Sequence, residues 1–285
     1  MNAEVENLDR QAEEFERDVG IPPCPEVLTN LLRETRADEP DYRRIGRLIA
    51  NDVALAASVL KVANSPFYGL RTKVTTVQQG LTLLGLSAAT QLVTGLLLRQ
   101  AFPNGSGEAM ERYWKSSMAS GLIAALLARE TGRCDQGTAH TYGLFRDCGM
   151  AVMMRKFPIY ADIFDGSALA SGEPITEIEG ERYATNHCRI GARLAHSWHL
   201  SATLVYAILN HHCLLTSADS MRGATPDSRV LVCLGLVAQK LYCSATGQHC
   251  HDWRHGGEIA LEFLGLRAET LEGLTGRVKA SLQSF

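Results

Sequence analysis

The sequence predicts an all-α protein, a multi-helix bundle with an N-terminal helical subdomain. Three observations predict it. Apolar residues recur at three-to-four spacing along nearly the whole chain, capping and turn residues punctuate those stretches, and no convincing strand alternation interrupts them. No internal repeat is apparent, so the helices are expected to pack as a single bundle-like architecture.

Taken in order, residues 5–18 carry Val5, Leu8, Ala12 and Phe15 at helical spacing and suit an amphipathic leader helix. Gly20, Pro22, Pro23 and Pro25 end it, and Glu26–Arg33 starts the next helix with Val27, Leu28, Leu31 and Leu32 near one face. Asp41 can cap a helix to about Ala50, with Ile45, Leu48 and Ile49 inward. Asn51 or Asp52 restarts one through Leu55, Val59, Leu60 and Val62, which stops at the turn-rich NSPFYG of 64–69. Thr75 or Thr76 caps a helix that ends at Gly85, and Ser87 opens a longer one through Leu98. PNGSGEAM (103–110) reads as a flexible connector. Beyond it, helices are expected at roughly 111–131, 138–155, 158–170, 174–196 and 201–213, then a polar connector at 217–228. A hydrophobic helix over 229–242 and two short tail helices follow.

Composition excludes several function classes. With 285 residues, 46% hydrophobic and 21% charged, the chain has enough material for one large domain or two small ones. A net charge of −3 suggests neither a nucleic-acid surface nor a membrane-binding face. The first twenty residues are acidic and lack the apolar core of a secretory signal. The longest apolar candidate, LIAALLA (122–128), is far short of a membrane span. Eight scattered cysteines without a CxxC argue for reduced thiols, and a cytoplasmic protein is the expectation.

Familiar catalytic motifs are missing. There is no Walker A loop and no GxSxG elbow, and GSG at 105–107 lacks the rest of a dinucleotide fingerprint. Glu26 and Glu34 read as solvated helix faces. The stretch CSATGQHCHDWRH groups Cys243, His249, Cys250, His251 and His255, and His251 with His255 has a spacing that can bind zinc on one helix face. The short-range cysteine pairing of most zinc sites is absent there, so an exposed turn around Gly247 is the competing reading. His196 and His199 flank Trp198 and read as packing and helix-end residues.

Asp147 in GLFRDCG and the pair His211-His212 in LVYAILNHH carry the chemical signal, since a hydrolytic metal site needs histidines and carboxylates converging on one ion. Their neighbour Arg146 cannot be a ligand, because a guanidinium stays protonated.

Several ordered segments then resemble the HDOD family, a branch of the HD-domain superfamily. They are IPPCPEVLTNLL (21–32), IANDVALAASVLKVANSPFYG (49–69), TTVQQGLTLLGLSAATQLV (75–93), GLFRDCGM (143–150), HCRIGARLAHSW (187–198) and ILNHH (208–212). Asp52, Asn64, Ser65, Tyr68 and Gly69 carry the N-terminal signature. Asn64 and Tyr68 have a bland reading as turn brace and core filler, and a functional one as a partner surface. The resemblance implies an HDOD domain over 21–213 with halves at 21–102 and 111–213; the periodicity places a leader helix over 1–20 before it and a C-terminal helical extension over 214–285 after it.

The resemblance also implies a site, and a damaged one. A catalytic HD domain takes metal ligands from an early histidine, a His-Asp pair, later histidines and a final aspartate. Here the early histidine falls near Ser116 and Ser117, the pair falls on Arg146-Asp147, and the final aspartate falls near Gln239. His187 and either His211 or His212 match the later histidines. No residue is therefore expected to be catalytic and no cofactor is expected, with residual metal allowed for at Asp147, His187 and His211. The relic pocket would comprise Arg146, Asp147, His187, His211 and His212. The family implies a regulatory module of bacterial signalling, beside two-component or cyclic-dinucleotide components. The partner would be another protein chain, with no nucleic acid and no membrane, and a homodimer is compatible. An altered metal-dependent phosphohydrolase or phosphodiesterase, or a nucleotide sensor, are the alternatives.

Overall fold

The computed structural model describes residues 20–35, 37, 39–64, 72–102, 107–157, 159–164, 174–212, 223–248, 250 and 252–282. Every regular element among them is a helix, as the periodicity requires. The expected leader helix over 5–18 lies outside the described residues, as do Ser65, Tyr68 and Gly69. Among the described residues no single helix is long and apolar enough to cross a membrane.

Two units emerge. The first, Pro23–Phe102, holds α1 (Glu26–Thr35), α2 (Tyr42–Ala50), α3 (Val53–Ala63), α4 (Val77–Leu84) and α5 (Leu86–Gln100). Local chemistry sets its helix starts. The Asp41 carboxylate accepts from the Arg43 and Arg44 N–H groups, Asp52 does the same for Ala54 and Leu55, and Thr76 forms a capping box with Gln79. Ser87 is not the cap of α5: Gly85, at φ 79, begins it without a side-chain hydrogen bond. The core is aliphatic, with Leu28, Leu31, Ile45, Ile49, Leu55, Val59, Leu81 and Val93 fully buried, each stabilising by roughly 1.5–3 kcal/mol. Asn64 closes α3 and clamps it to Val74. Its amide donates to Leu60 O at 2.9 Å and Val74 O at 2.8 Å and accepts from Val74 N at 2.8 Å. Glu34, expected to be solvated, is instead largely covered and pairs with Arg44 at 3.2 Å.

The second unit spans Pro103–Gln283 together with the residues up to Pro22. It comprises α6 (Glu108–Thr131), α7 (Gln136–Phe145), α8 (Cys148–Lys156), α9 (Tyr160–Phe164), α10 (Ile175–Tyr183), α11 (His187–Ser197), α12 (Ala202–Leu209), α13 (Pro226–Thr246), α14 (Trp253–Leu264) and α15 (Ala268–Leu282). Buried on most of its faces, α13 packs against α6, α12, α14 and α15. Trp198 anchors the entering chain by donating its indole N–H to Pro22 O at 2.9 Å.

Three expected helices are interrupted or shortened, and each change shapes the site. The stretch 138–155 breaks at Arg146-Asp147 into α7 and α8. The stretch 174–196 breaks after Tyr183, where Ala184 takes φ 55 and Asn186 caps a new helix by accepting from Arg189 N. The helix expected to run to 213 stops at Leu209, so His211 and His212 lie in the turn that follows it.

Candidate functional site

Helix ends build the site. Asp147 sits between α7 and α8, His187 and Cys188 open α11, His211 and His212 follow α12, and Asp252 precedes α14. Two glycines bring α8 and α11 together. A Cβ on Gly149 would lie 2.0 Å from His187 O and 2.7 Å from Gly191 N, so only hydrogen lets the helices meet this closely.

The sequence allowed for one of the two histidines, and the structure brings both in. His187 Nε2 lies 3.3 Å from His211 Nε2 and 3.3 Å from His212 Nε2. Asp147 Oδ1 lies 3.1 Å from His211 Nε2 and 3.7 Å from His187 Nε2. The opposite ring nitrogens are each engaged. His187 Nδ1 faces the Glu179 carboxylate at 2.8 Å, His211 Nδ1 faces Ile208 O at 2.7 Å, and His212 Nδ1 faces Asp252 Oδ2 at 3.3 Å. With Nδ1–H donated outward, each ring directs its Nε2 toward one shared point, where an ion would take the place of the Nε2 protons.

Glu179 is the most deeply held of these outer groups. It is fully buried, receives the Tyr160 hydroxyl in a short hydrogen bond, and accepts from the His187 backbone N–H at 3.0 Å. Burial works to raise its pKa, but His187 outweighs burial and holds the carboxyl below the ordinary range.

Arg146 occupies the other flank. Its side chain is 3% exposed, its Nη2 donates to Gln239 Oε1 at 3.0 Å, and its terminal nitrogens lie 3.7 Å from Asp147 and 3.6 Å from Asp252. Burial pushes the Asp147 carboxyl up, but Arg146 and the His211 hydrogen bond outweigh it and hold it well below the usual carboxylate range. Asp252 is likewise depressed, burial being outweighed by His212 and Arg146. Burial works against a proton on His211, yet Cys188 and Asp147 raise it to about 9. Burial works against a proton on His187, yet Cys188 and Glu179 raise its pKa well above the ordinary value; burial pushes the Cys188 thiol up, yet His187 and His211 outweigh it and hold it below the ordinary range.

This donor set fits a metal ion. Bonds of about 2.0–2.1 Å from nitrogen to a tetrahedral ion put neighbouring ligand atoms roughly 3.4 Å apart, which matches the separations around His187 Nε2. Two imidazole nitrogens facing each other need a shared proton or a cation between them. The charges also fit: with the imidazoles neutral, the carboxylates of Asp147, Glu179 and Asp252 exceed the Arg146 guanidinium by two, and a dication can stand in for the protons that the histidines otherwise take up.

The other expected positions lie as follows. Ser117 Oγ donates to Leu144 O of α7 at 2.7 Å, tying α6 to α7, and Ser116 Oγ donates to Tyr113 O within α6 at 2.9 Å. Asp52 and Asn64 are helix caps in the first unit. The turn around Gly247 is exposed as expected, with Thr246, Gly247 and Gln248 in solvent, while the flanking Cys243 and Cys250 are buried; His249, His251 and the His255 side chain lie outside the described residues. His199 is exposed. Sequence reasoning missed Glu179, Cys188 and Asp252. Glu179 had a readable signal, since it stands four residues after Ile175 and beside Ile178, an acid on an apolar stripe.

Comparison places this architecture among known proteins. The HDOD domain family model matches residues 21–214. An uncharacterized protein of Treponema pallidum (strain Nichols) is 26% identical over 208 residues, which are 68% of this chain and 38% of that protein. The uncharacterized protein YuxH of Bacillus subtilis (strain 168) is 28% identical over 115 residues, 40% of this chain and 28% of that protein. The chain thus spans well under half the length of either relative. Among solved structures, an HDOD domain protein with unknown function from Geobacter sulfurreducens superimposes with a TM-score of 0.75 at 19% identity, covering 99% of each chain. A candidate phosphohydrolase from Shewanella amazonensis SB2B gives 0.69 at 22% identity, covering 97% of this chain and 94% of that one. A candidate signal transduction protein from Marinobacter aquaeolei VT8 gives 0.72 at 19% identity, covering 98% of this chain and 63% of that one. These likenesses establish a shared fold, and the match over 21–214 establishes the family: the chain is a member of the HDOD domain family.

Proposed function

We propose that this chain is a regulatory HDOD module of bacterial signalling that acts by binding, not by turnover. Its HD-type site would hold one metal ion between Asp147, His187, His211 and His212. The observation that carries this reading is the Arg146–Gln239 hydrogen bond of 3.0 Å. These two residues stand where the resemblance expects a ligand histidine and a ligand aspartate, and they satisfy each other. A permanent guanidinium there opposes a second cation. Its terminal nitrogens face Asp147, Gln239 and Asp252 from a buried position, so it braces the site and is poorly placed to clamp a phosphate.

When bound, a zinc-like ion supplies positive charge and a Lewis acid. In this reading its task is to tie together the α7–α8 turn, the start of α11, the turn after α12 and the start of α14. The surface of those helices would be read by a partner protein, with the relatives' greater length consistent with a module that works beside other domains.

The test combines metal analysis with a hydrolysis screen. The purified chain should carry one transition-metal ion, lost in His187→Ala, and should leave nucleotides and cyclic dinucleotides intact with zinc, iron or manganese supplied. Turnover that disappears in His187→Ala and Asp147→Ala would overturn the proposal. It would favour a metal-dependent phosphohydrolase instead, a reading supported by the 27% exposure of the Asp147 side chain. A nucleotide that raises the melting temperature of the wild type but not of Arg146→Ala would favour sensing.

A further inference from the structure

Cys188 follows His187 in the first turn of α11 and is 4% exposed. Its Sγ lies 3.6 Å from His187 Nε2. Donor atoms of His187, Cys188, His211 and His212 all lie within 4.8 Å of one another. Metal–nitrogen bonds of about 2.0–2.1 Å and a metal–sulfur bond of about 2.3 Å put neighbouring nitrogen and sulfur donors of a tetrahedral ion roughly 3.6 Å apart, which the Cys188–His187 separation matches. The thiol is therefore within reach of the ion's sphere. Buried cysteines elsewhere in the unit have other surroundings: Cys148, on the facing helix, contacts Gly191 O at 3.6 Å.

We propose that Cys188 is a ligand to the ion held by His187, His211, His212 and Asp147, making the site a mixed imidazole–thiolate centre selective for zinc. The inference rests on the one-ion reading of the site and goes beyond it by fixing the class of metal. Hard cations such as magnesium and manganese favour oxygen donors, whereas thiolate and imidazole together favour zinc and its borderline-soft neighbours. A thiolate also takes up a position that an activated water would otherwise use, which suits a structural or sensory centre better than a hydrolytic one. Loading proceeds by loss of the Cys188 proton to solvent and formation of one sulfur–metal bond, without any change of oxidation state.

The experiment uses the full chain, stripped by a chelator and reloaded with cobalt or zinc. The cobalt form should show a sulfur-to-cobalt charge-transfer band in the near ultraviolet, and X-ray absorption of the zinc form should show one sulfur among nitrogen and oxygen neighbours. Cys188→Ser should lose both signatures, keep the visible cobalt bands of the remaining ligands, and bind zinc on the order of 10- to 100-fold more weakly, at least the loss that follows removal of an outer-shell partner. Manganese affinity should not fall in parallel. Far-ultraviolet circular dichroism and a second variant, Cys188→Ala, separate ligand loss from misfolding. A loaded wild type without the sulfur signature, or a signature that survives in Cys188→Ser and vanishes in Cys243→Ser, overturns the thiolate assignment while leaving the one-ion site standing. Failure of the wild type to bind any ion more tightly than His187→Ala overturns both.

Discussion

Gly149→Ala should damage the site more than any other alanine exchange at a helical glycine of this unit. Its Cβ would lie 2.0 Å from His187 O, against an ordinary contact that begins at 3.4 Å. The start of α11 must then retreat by about 1.4 Å, and His187 moves with it. Misplacement of about 1 Å costs on the order of 100-fold where several groups must converge, and overpacking costs roughly 1–3 kcal/mol of stability. Gly191→Ala faces contacts of 3.2, 3.2 and 3.3 Å and needs only a few tenths of an ångström. Gly180→Ala in α10 meets nothing within 4 Å and should gain about 0.5–1 kcal/mol from helix propensity. Competitive chelator titration and denaturant unfolding of the three variants should rank ion affinity as Gly180→Ala, then Gly191→Ala, then Gly149→Ala by a wide margin. Equal affinity in Gly149→Ala and Gly180→Ala would refute the claim that this helix contact positions His187.

Glu179→Gln should keep the fold but weaken ion binding by roughly 10- to 100-fold, because it removes the carboxylate that orients His187; chelator competition measures it. His140 is buried with its Nδ1 unpartnered among the described residues, and burial pushes its pKa down to about 3. Its folded pKa lies below the unfolded value near 6.5, so the unfolded chain takes up the proton first and stability falls as pH drops from about 6.5 toward 3. At pH 5 that loss should be about 2 kcal/mol, and it should be absent from the pH profile of His140→Gln unfolding. Asn64→Ala removes two hydrogen bonds that tie α3 to Val74 and a third to Leu60 O, and should cost roughly 1–3 kcal/mol in the first unit, read by hydrogen exchange at Val74 and around it.

The helix starts of the first unit were legible because a cap is a local device: Asp41, Asp52 and Thr76 need only the N–H groups two or three residues ahead. The break at Arg146-Asp147 was not. Apolar residues continue in helical phase on both sides, and the close packing of Tyr142 and Arg146 on Gly235 of α13 is a long-range contact that no local pattern announces. Asn186 did announce the start of α11, as a capping residue ahead of an apolar stripe, yet the continuous pattern around it masked the signal. Arg146, Asp147 and the histidines were readable as residue types. That His211 and His212 both face His187 depended on α12 ending at Leu209, since neighbours in a continuing helix point about 100° apart.

Arg146 itself offers the sharpest separation between stability and binding. If it serves as a built-in cation, Arg146→Met should move the two in opposite directions. Asp147 and Asp252 would lose their buried partner, and breaking such an arrangement from one side costs roughly 3–5 kcal/mol. The same change removes a positive charge that opposes the ion, so ion affinity should rise by about 10-fold or more, and the number of ions bound at saturation should move from one toward two. Denaturant unfolding of the stripped protein reads the first effect, and metal titration followed by elemental analysis reads the second. A variant in which stability and affinity fall together would show that the guanidinium only packs the site. A variant less stable without the ion yet better at holding it would show that its charge stands where a second cation would otherwise bind.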